Sequence, residues 1–213
     1  MRLFAAVWPP EEVLDHLDLA LASVRGGPAG TSPTVRWSAR ETWHLTAAFY
    51  GDLPDGSVPG LVADLAEVAA GIAPYELALR GAGVFSHRTL WVGVGGDLEA
   101  QRVVSHGCVD AGEAAGGATD NRPRDRPHLT VGRVRPGSRP PRRRSSRPDR
   151  PRPRPDLQAS ADDDLAASLV RALAVYEGPR WLVDELHLVS SRPGAGRGGG
   201  PLYERVESFG LGR

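Results

Sequence analysis

The word His-Leu-Thr stands at 44–46 and returns at 128–130, in a chain of 213 residues with only six histidines. Each copy sits where alternate residues are apolar: Leu45 and Ala47 in the first, Leu129 and Val131 in the second. A period of two reads as a β-strand, in which residues i and i+2 share a face. His44 and Thr46 then point one way, with Leu45, Ala47 and Phe49 on the other side. His128 and Thr130 likewise point away from Leu129 and Val131. Each strand offers a polar pair to a cleft and an apolar set to a core. If the two strands lie side by side, two imidazoles and two hydroxyls converge.

The rest of the chain supports that arrangement with recurring strand–helix–strand units. RLFAAVW (2–8) reads as a strand, and PPEEVLDHLDLALASV as a helix with proline and acids at its start. Val35–Trp37 is a short strand, and TWHLTAAFYG a longer one. A helix is expected at 58–72, followed by strands YELALRGAGVF and TLWVGVGG around a turn near Ser86 to Arg88. Residues 98–116 look helical but carry interrupting glycines, and DRPHLTVGRV is the second HLT strand. DDDLAASLVRALAVYEG reads as the last helix, with acids in its first turn and Gly178 past its end. WLVDELHLVSS and PLYERVESFGL close the chain as two strands around the glycine-rich turn 194–200, which reads as a flexible hairpin. The expected fold class is α+β: two lobes facing each other across a cleft, one HLT word in each half.

Composition bounds what such a domain does. The apolar run at the start, Leu3 to Trp8, is too short for a signal peptide, and no stretch is long enough to span a membrane. Cys108 is alone, so neither a disulfide framework nor a multi-cysteine metal site is expected. These features predict a cytoplasmic protein with no membrane partner; they leave the oligomeric state open, with a monomer favoured. The net charge of zero hides a strongly basic strip. Its densest part, about 135–156, holds seven prolines and no large apolar residue. It cannot contribute to a core and reads as a disordered insertion in an otherwise single bilobal domain over 1–213. A stretch of GC-rich DNA read out of frame would also yield arginine and proline.

Histidine titrates near neutral pH, so a pair can supply one base and one acid. Threonine hydroxyls donate to anionic oxygens. Together they suit displacement at a phosphodiester without a metal or other cofactor: one histidine deprotonates water, the other protonates the leaving oxygen, and the threonines hold the non-bridging oxygens. His16, His87, His106 and His187 have no matching partner and are read as structural. GAGVFS lacks the third glycine of a dinucleotide fingerprint, and GAGRGGG lacks the ending of a phosphate loop.

With these residues in place the chain resembles the 2H phosphoesterase superfamily, specifically the RNA 2′,3′-cyclic phosphodiesterases also called the 2′-5′ RNA ligase family. RLFAAVWPPEE, WHLTAAFYGDL, GAGVF, LWVGV, RPHLTVGRV and the ending YEGPRWLVDELHLVSS carry the resemblance. It implies pseudo-two-fold symmetry, antiparallel sheets with flanking helices, and an active-site cleft between the lobes. It implies hydrolysis of a 2′,3′-cyclic phosphate to a 2′-phosphate, on RNA ends such as tRNA fragments. By position, His44 is the proton donor to the leaving 3′ oxygen, His128 the base, and Thr46 and Thr130 phosphate ligands. Arg133, five residues after the second histidine, matches a family arginine; simple alternation puts it on the core side, so it needs a strand end or a bulge to reach the phosphate. Two other functions fit the same residues: a cyclic phosphodiesterase acting on a small nucleotide such as an ADP-ribose cyclic phosphate, and a non-catalytic RNA-binding protein using the basic strip.

Overall fold

Alternating apolar residues along the chain build one nine-stranded antiparallel sheet, seen in a computed structural model that describes residues 1–27, 30–86, 88–118, 126–134 and 166–212. The Arg/Pro-rich stretch at 135–156 and His87 lie outside the described residues. In chain order the elements are β1 (Arg2–Val7), α1 (Glu11–Arg25), β2 (Val35–Trp37), β3 (Leu45–Asp52), α2 (Val58–Ala70), β4 (Tyr75–Phe85), β5 (Thr89–Gly96), α3 (Leu98–Ala114), β6 (His128–Val134), α4 (helical over 166–173), β7 (Glu177–Val183), β8 (Glu185–Arg192) and β9 (Leu202–Gly210). The strands run β7-β4-β5-β6-β3-β1-β8-β9, with β2 added to β6.

The two HLT strands are neighbours at the middle of this order. β3 and β6 meet antiparallel at one registered pair, Leu45 opposite Leu129. The central residues of the two words therefore face each other, and each word belongs to a different half of the sheet. This is the expected bilobal, pseudo-two-fold α+β arrangement. On the sheet's core side, α2 and α3 pack together against β3 and β9, while α1 packs on β7. Leu3, Leu17, Leu45, Leu65, Leu79, Val92 and Leu129 are fully buried there. A smaller apolar cluster, Phe4, Ala6 and Val189 with Trp8, Phe49 and Tyr203 against it, forms apart from that core.

Three local expectations are corrected. The glycines of α3 do not interrupt it. Gly112 lies under the Tyr50 ring, where an added Cβ would come within 2.4 Å of Tyr50 Cδ1, and Gly107 lies against Val68. The stretch WLVDELHLVSS is two strands, because Asp184 ends β7 and the chain then passes to the other half as β8; β7 pairs with β4, and β8 with β1 and β9. The last helix ends at 173 and does not run on to 177; Gly178 is past its end, as expected, but already within β7. Among the described residues no helix is long and apolar enough to cross a membrane.

Candidate active site

Both HLT strands break strict alternation one residue after the threonine. Against β1, Ala48 is opposite Ala5 and Thr46 opposite Ala6, which leaves Ala47 without a partner. Against β5, Gly132 is opposite Leu90 and Thr130 opposite Trp91, which leaves Val131 without one. Each extra residue is a β-bulge that turns the following side chains over. The two strands share the result: Ala47 and Ala48 are both buried, as are Val131 and Gly132. Phe49 and Arg133 consequently rejoin the face of His44 and His128. Of the strand end or bulge that Arg133 needs, the structure has the bulge, and Arg133 lines the cleft. Phe49, expected on the core side, lines the cleft as well.

The cleft has a volume of about 910 Å³ and is lined by His44, Thr46, His128, Thr130 and Arg133 together. All five residues singled out in the sequence therefore converge. His44 immediately precedes β3, and His128 opens β6. The Nδ1 atoms are held alike: that of His44 lies 2.8 Å from the Thr42 carbonyl, and that of His128 lies 3.0 Å from the Arg126 carbonyl. A carbonyl only accepts, so Nδ1–H donates in each ring and Nε2 is left on the far side for chemistry. His44 Nε2 takes the Thr46 hydroxyl at 3.1 Å.

The rings around the histidines were not legible as site residues. His44 packs against both Phe4 and Trp8, each with its centroid 4.9 Å away, and meets the edge of Tyr203 at 5.2 Å. His128 meets Phe85 edge-on at 4.8 Å, and Phe85 stacks on Trp91 at 5.0 Å. Alternation within RLFAAVW already places Arg2 and Phe4 on one face, so part of this lining was available to a period-two reading of β1. Tyr203 comes from β9, remote in sequence, and no local pattern connects it to His44.

Packing among these rings desolvates His44 and pulls its imidazole down from 6.5 to about 4; the Thr42 carbonyl opposes the shift and His128 adds to it. His187, behind the stack on β8, is only 4 % exposed and bonds Ser208 Oγ through Nδ1 at 2.9 Å. Its imidazole is also depressed to about 4, first by burial, then by Arg205, with Asp184 opposing. Tyr203 is raised by burial, against the pull of Arg133 and Arg2.

These two depressed histidines make the fold acid-sensitive. The unfolded chain takes up their protons first as pH falls, so their contribution is complete above about 6.5 and is lost as pH falls towards about 4. His187, with its side chain almost wholly enclosed, is the larger contributor, and His44, with an edge open to the cleft, the smaller. The thermal midpoint should therefore fall from pH 7 to pH 4.5, and His187→Gln should flatten that fall. An equally steep fall in the variant would refute the assignment.

Among the described residues no group of three or more His, Cys, Asp or Glu side chains could hold a metal ion. Arg40 is committed to Glu11 at 2.6 Å and Asp15 at 2.7 Å.

Comparison with known proteins agrees with this geometry. The family model "LigT like Phosphoesterase" matches residues 7–91. An RNA 2′,3′-cyclic phosphodiesterase of Methanothermobacter thermautotrophicus is 31% identical over 144 residues, covering 63% of this chain and 72% of the relative. One of Geobacillus stearothermophilus is 35% identical over 128 residues, 57% of this chain, but the match spans only 39% of that longer protein. The crystal structure of TT0787 of Thermus thermophilus superposes with a TM-score of 0.65 at 25% identity, covering 100% of this chain and 98% of the other. That of Escherichia coli LigT complexed with 3′-AMP gives 0.66 at 19% identity with the same coverage, a likeness of fold. With a relative matched over most of its length, and with both HLT strands facing one cleft, the chain belongs to the LigT-like phosphoesterase family.

Proposed function

We propose that this protein hydrolyses RNA 2′,3′-cyclic phosphate ends to 2′-phosphates, in the cytoplasm, by a two-histidine acid–base mechanism that uses no metal. The observation that carries the proposal is the convergence of both HLT words, with Arg133, on one cleft. The names of the Methanothermobacter and Geobacillus relatives support the same activity. RNA fragments with such ends, including tRNA fragments, are the substrates that fit.

In this reading His128 takes a proton from water through Nε2, and the water oxygen attacks phosphorus. The bond from phosphorus to O3′ breaks in line, and His44 Nε2 gives O3′ its proton. Thr46, Thr130 and Arg133 hold the non-bridging oxygens, where negative charge accumulates. Both proton transfers and the charge neutralisation are then supplied by side chains, which is why no metal is needed. Incubation of an oligonucleotide bearing a 2′,3′-cyclic phosphate in EDTA should yield the 2′-phosphate at an undiminished rate. Abolition by EDTA and restoration by a divalent ion would refute the mechanism.

The depressed imidazole of His44 favours a second division of labour, with His44 as base and His128 as acid. Substrate opposes this, because a phosphate anion beside Nε2 favours the imidazolium. The two readings separate on a substrate whose 3′ leaving atom is sulfur, which departs without needing a proton. Such a substrate should restore His44→Ala and leave His128→Ala slow; the reverse pattern would establish the exchanged roles.

A further inference from the structure

The arginines of the cleft fall into two groups. Arg2 and Arg133 both act on Tyr203, whose ring touches His44, so they belong with the histidine pair. Arg36 and Arg197 lie farther out. Arg36 is on β2, registered opposite Arg133, which is in turn opposite Thr89 of β5; all three line the cleft in a row. By strand rise and strand spacing, Arg36, one strand beyond Arg133, is on the order of 10 Å from Thr130, about one nucleotide along a chain.

Arg197 is carried by the hairpin tip between β8 and β9, and the tip is built rather than slack. Gly194, Gly198 and Gly199 take φ of 79°, 61° and 72°. The Gly196 amide donates to the Gly200 carbonyl at 2.9 Å, and the Gly199 amide to the Gly196 carbonyl at 3.1 Å. A Cβ at Gly196 would come within 2.2 Å of the Pro201 carbonyl oxygen. The Arg36 guanidinium donates to the Gly198 carbonyl at 2.6 Å, which ties the tip to β2 across the cleft.

Among the described residues neither Arg36 nor Arg197 is neutralised. Arg25, Arg40, Arg102, Arg180 and Arg192 each pair with a carboxylate there, and no such pair involves Arg36 or Arg197. Among the described residues that line the cleft, the acidic side chain is Glu41. The cleft's volume of about 910 Å³ is at the upper end of small-ligand pockets, roughly 300–1,000 Å³. Space and cationic charge both continue past the position of a terminal cyclic phosphate.

We propose that Arg36, Arg197 and the glycine-rich tip form a second phosphate subsite, which takes the linkage joining the terminal nucleotide to the one before it. The protein then selects oligonucleotide ends over cyclic mononucleotides. Planar guanidinium forks suit this work, since they engage a phosphate through two parallel N–H bonds. This inference rests on the proposed cyclic phosphodiesterase activity and adds a substrate class to it.

The test compares a dinucleotide ending in a 2′,3′-cyclic phosphate with the same dinucleotide joined by an uncharged methylphosphonate. Wild-type protein should lose about tenfold in kcat/KM on the uncharged linkage, the size expected for one charged hydrogen bond. Arg36→Gln and Arg197→Gln should each lose about tenfold on the charged dinucleotide and discriminate little between the two linkages. Equal losses on both substrates, or a wild-type protein indifferent to the linkage, would overturn the subsite. The same four-way comparison in binding constants, using dinucleotides that end in a 3′-phosphate, reads the subsite without turnover. Linkage-dependent binding without hydrolysis of any cyclic phosphate would refute the activity and keep the subsite. Melting curves identify a variant that fails to fold, and Arg197, exposed on the tip, is the substitution less exposed to that failure.

Discussion

Alanine at either His44 or His128 should lower turnover of a 2′,3′-cyclic phosphate end by about 10²–10⁴-fold, the usual contribution of a positioned acid or base. The two rings are fixed by equivalent bonds from Nδ1 to a backbone carbonyl two residues earlier, so each presents Nε2 from the start of its strand. Removing one imidazole leaves water to perform that transfer. The double variant should be little slower than the slower single one, because the two act in one concerted task. Stability should respond unequally. His44→Ala empties a position between Phe4, Trp8 and Tyr203, whereas the aromatic neighbours of His128 are Phe85, edge-on, and Trp91. Rates measured well below each variant's melting point separate the two effects. Near-wild-type turnover by either variant would show that its histidine is structural.

What the sequence disclosed, and what it withheld, follows from the range of the interactions involved. Alternation is local, so the two HLT strands, their polar face and their apolar face could be read directly. Adjacency of those strands could be stated only as a condition, because β3 and β6 are far apart in the chain and share a single registered pair. Strict alternation failed at Ala47 and Val131, where one unpaired residue turns over the side chains that follow it. The resemblance pointed to Arg133 despite its apparent core-side parity. Phe49 had no such pointer and was misplaced. The aromatic surround of His44 was missed for a different reason: Phe4, Trp8 and Tyr203 come from opposite ends of the chain. Gly107 and Gly112 look like helix breakers in isolation, yet each makes room for a neighbour's side chain in close packing.

Leu129→Ala should destabilise the protein by about 2–5 kcal/mol, as expected for a large-to-small change in a closed core. For a chain of this size that lowers the thermal midpoint by roughly 4–20 °C. Leu129 and its partner Leu45 are both fully buried and are the one point at which the two halves of the sheet are in register. Each leucine lies between the histidine and the threonine of its own word, on the opposite face of the strand. A cavity there loosens the seam that sets His44 relative to His128, and a displacement of 1 Å at a reacting group can cost about 10²-fold in rate. Leu129→Ala should therefore lose turnover even where it is fully folded. Leu65→Ala supplies the control: that side chain is equally buried, in α2, and should cost similar stability with little loss of kcat. Leu45→Ala should behave like Leu129→Ala, and the pair of substitutions should depart from additivity because the two side chains share one cavity. Equal kcat for the Leu129 and Leu65 variants, measured well below both melting points, would show that the seam does not position the histidines.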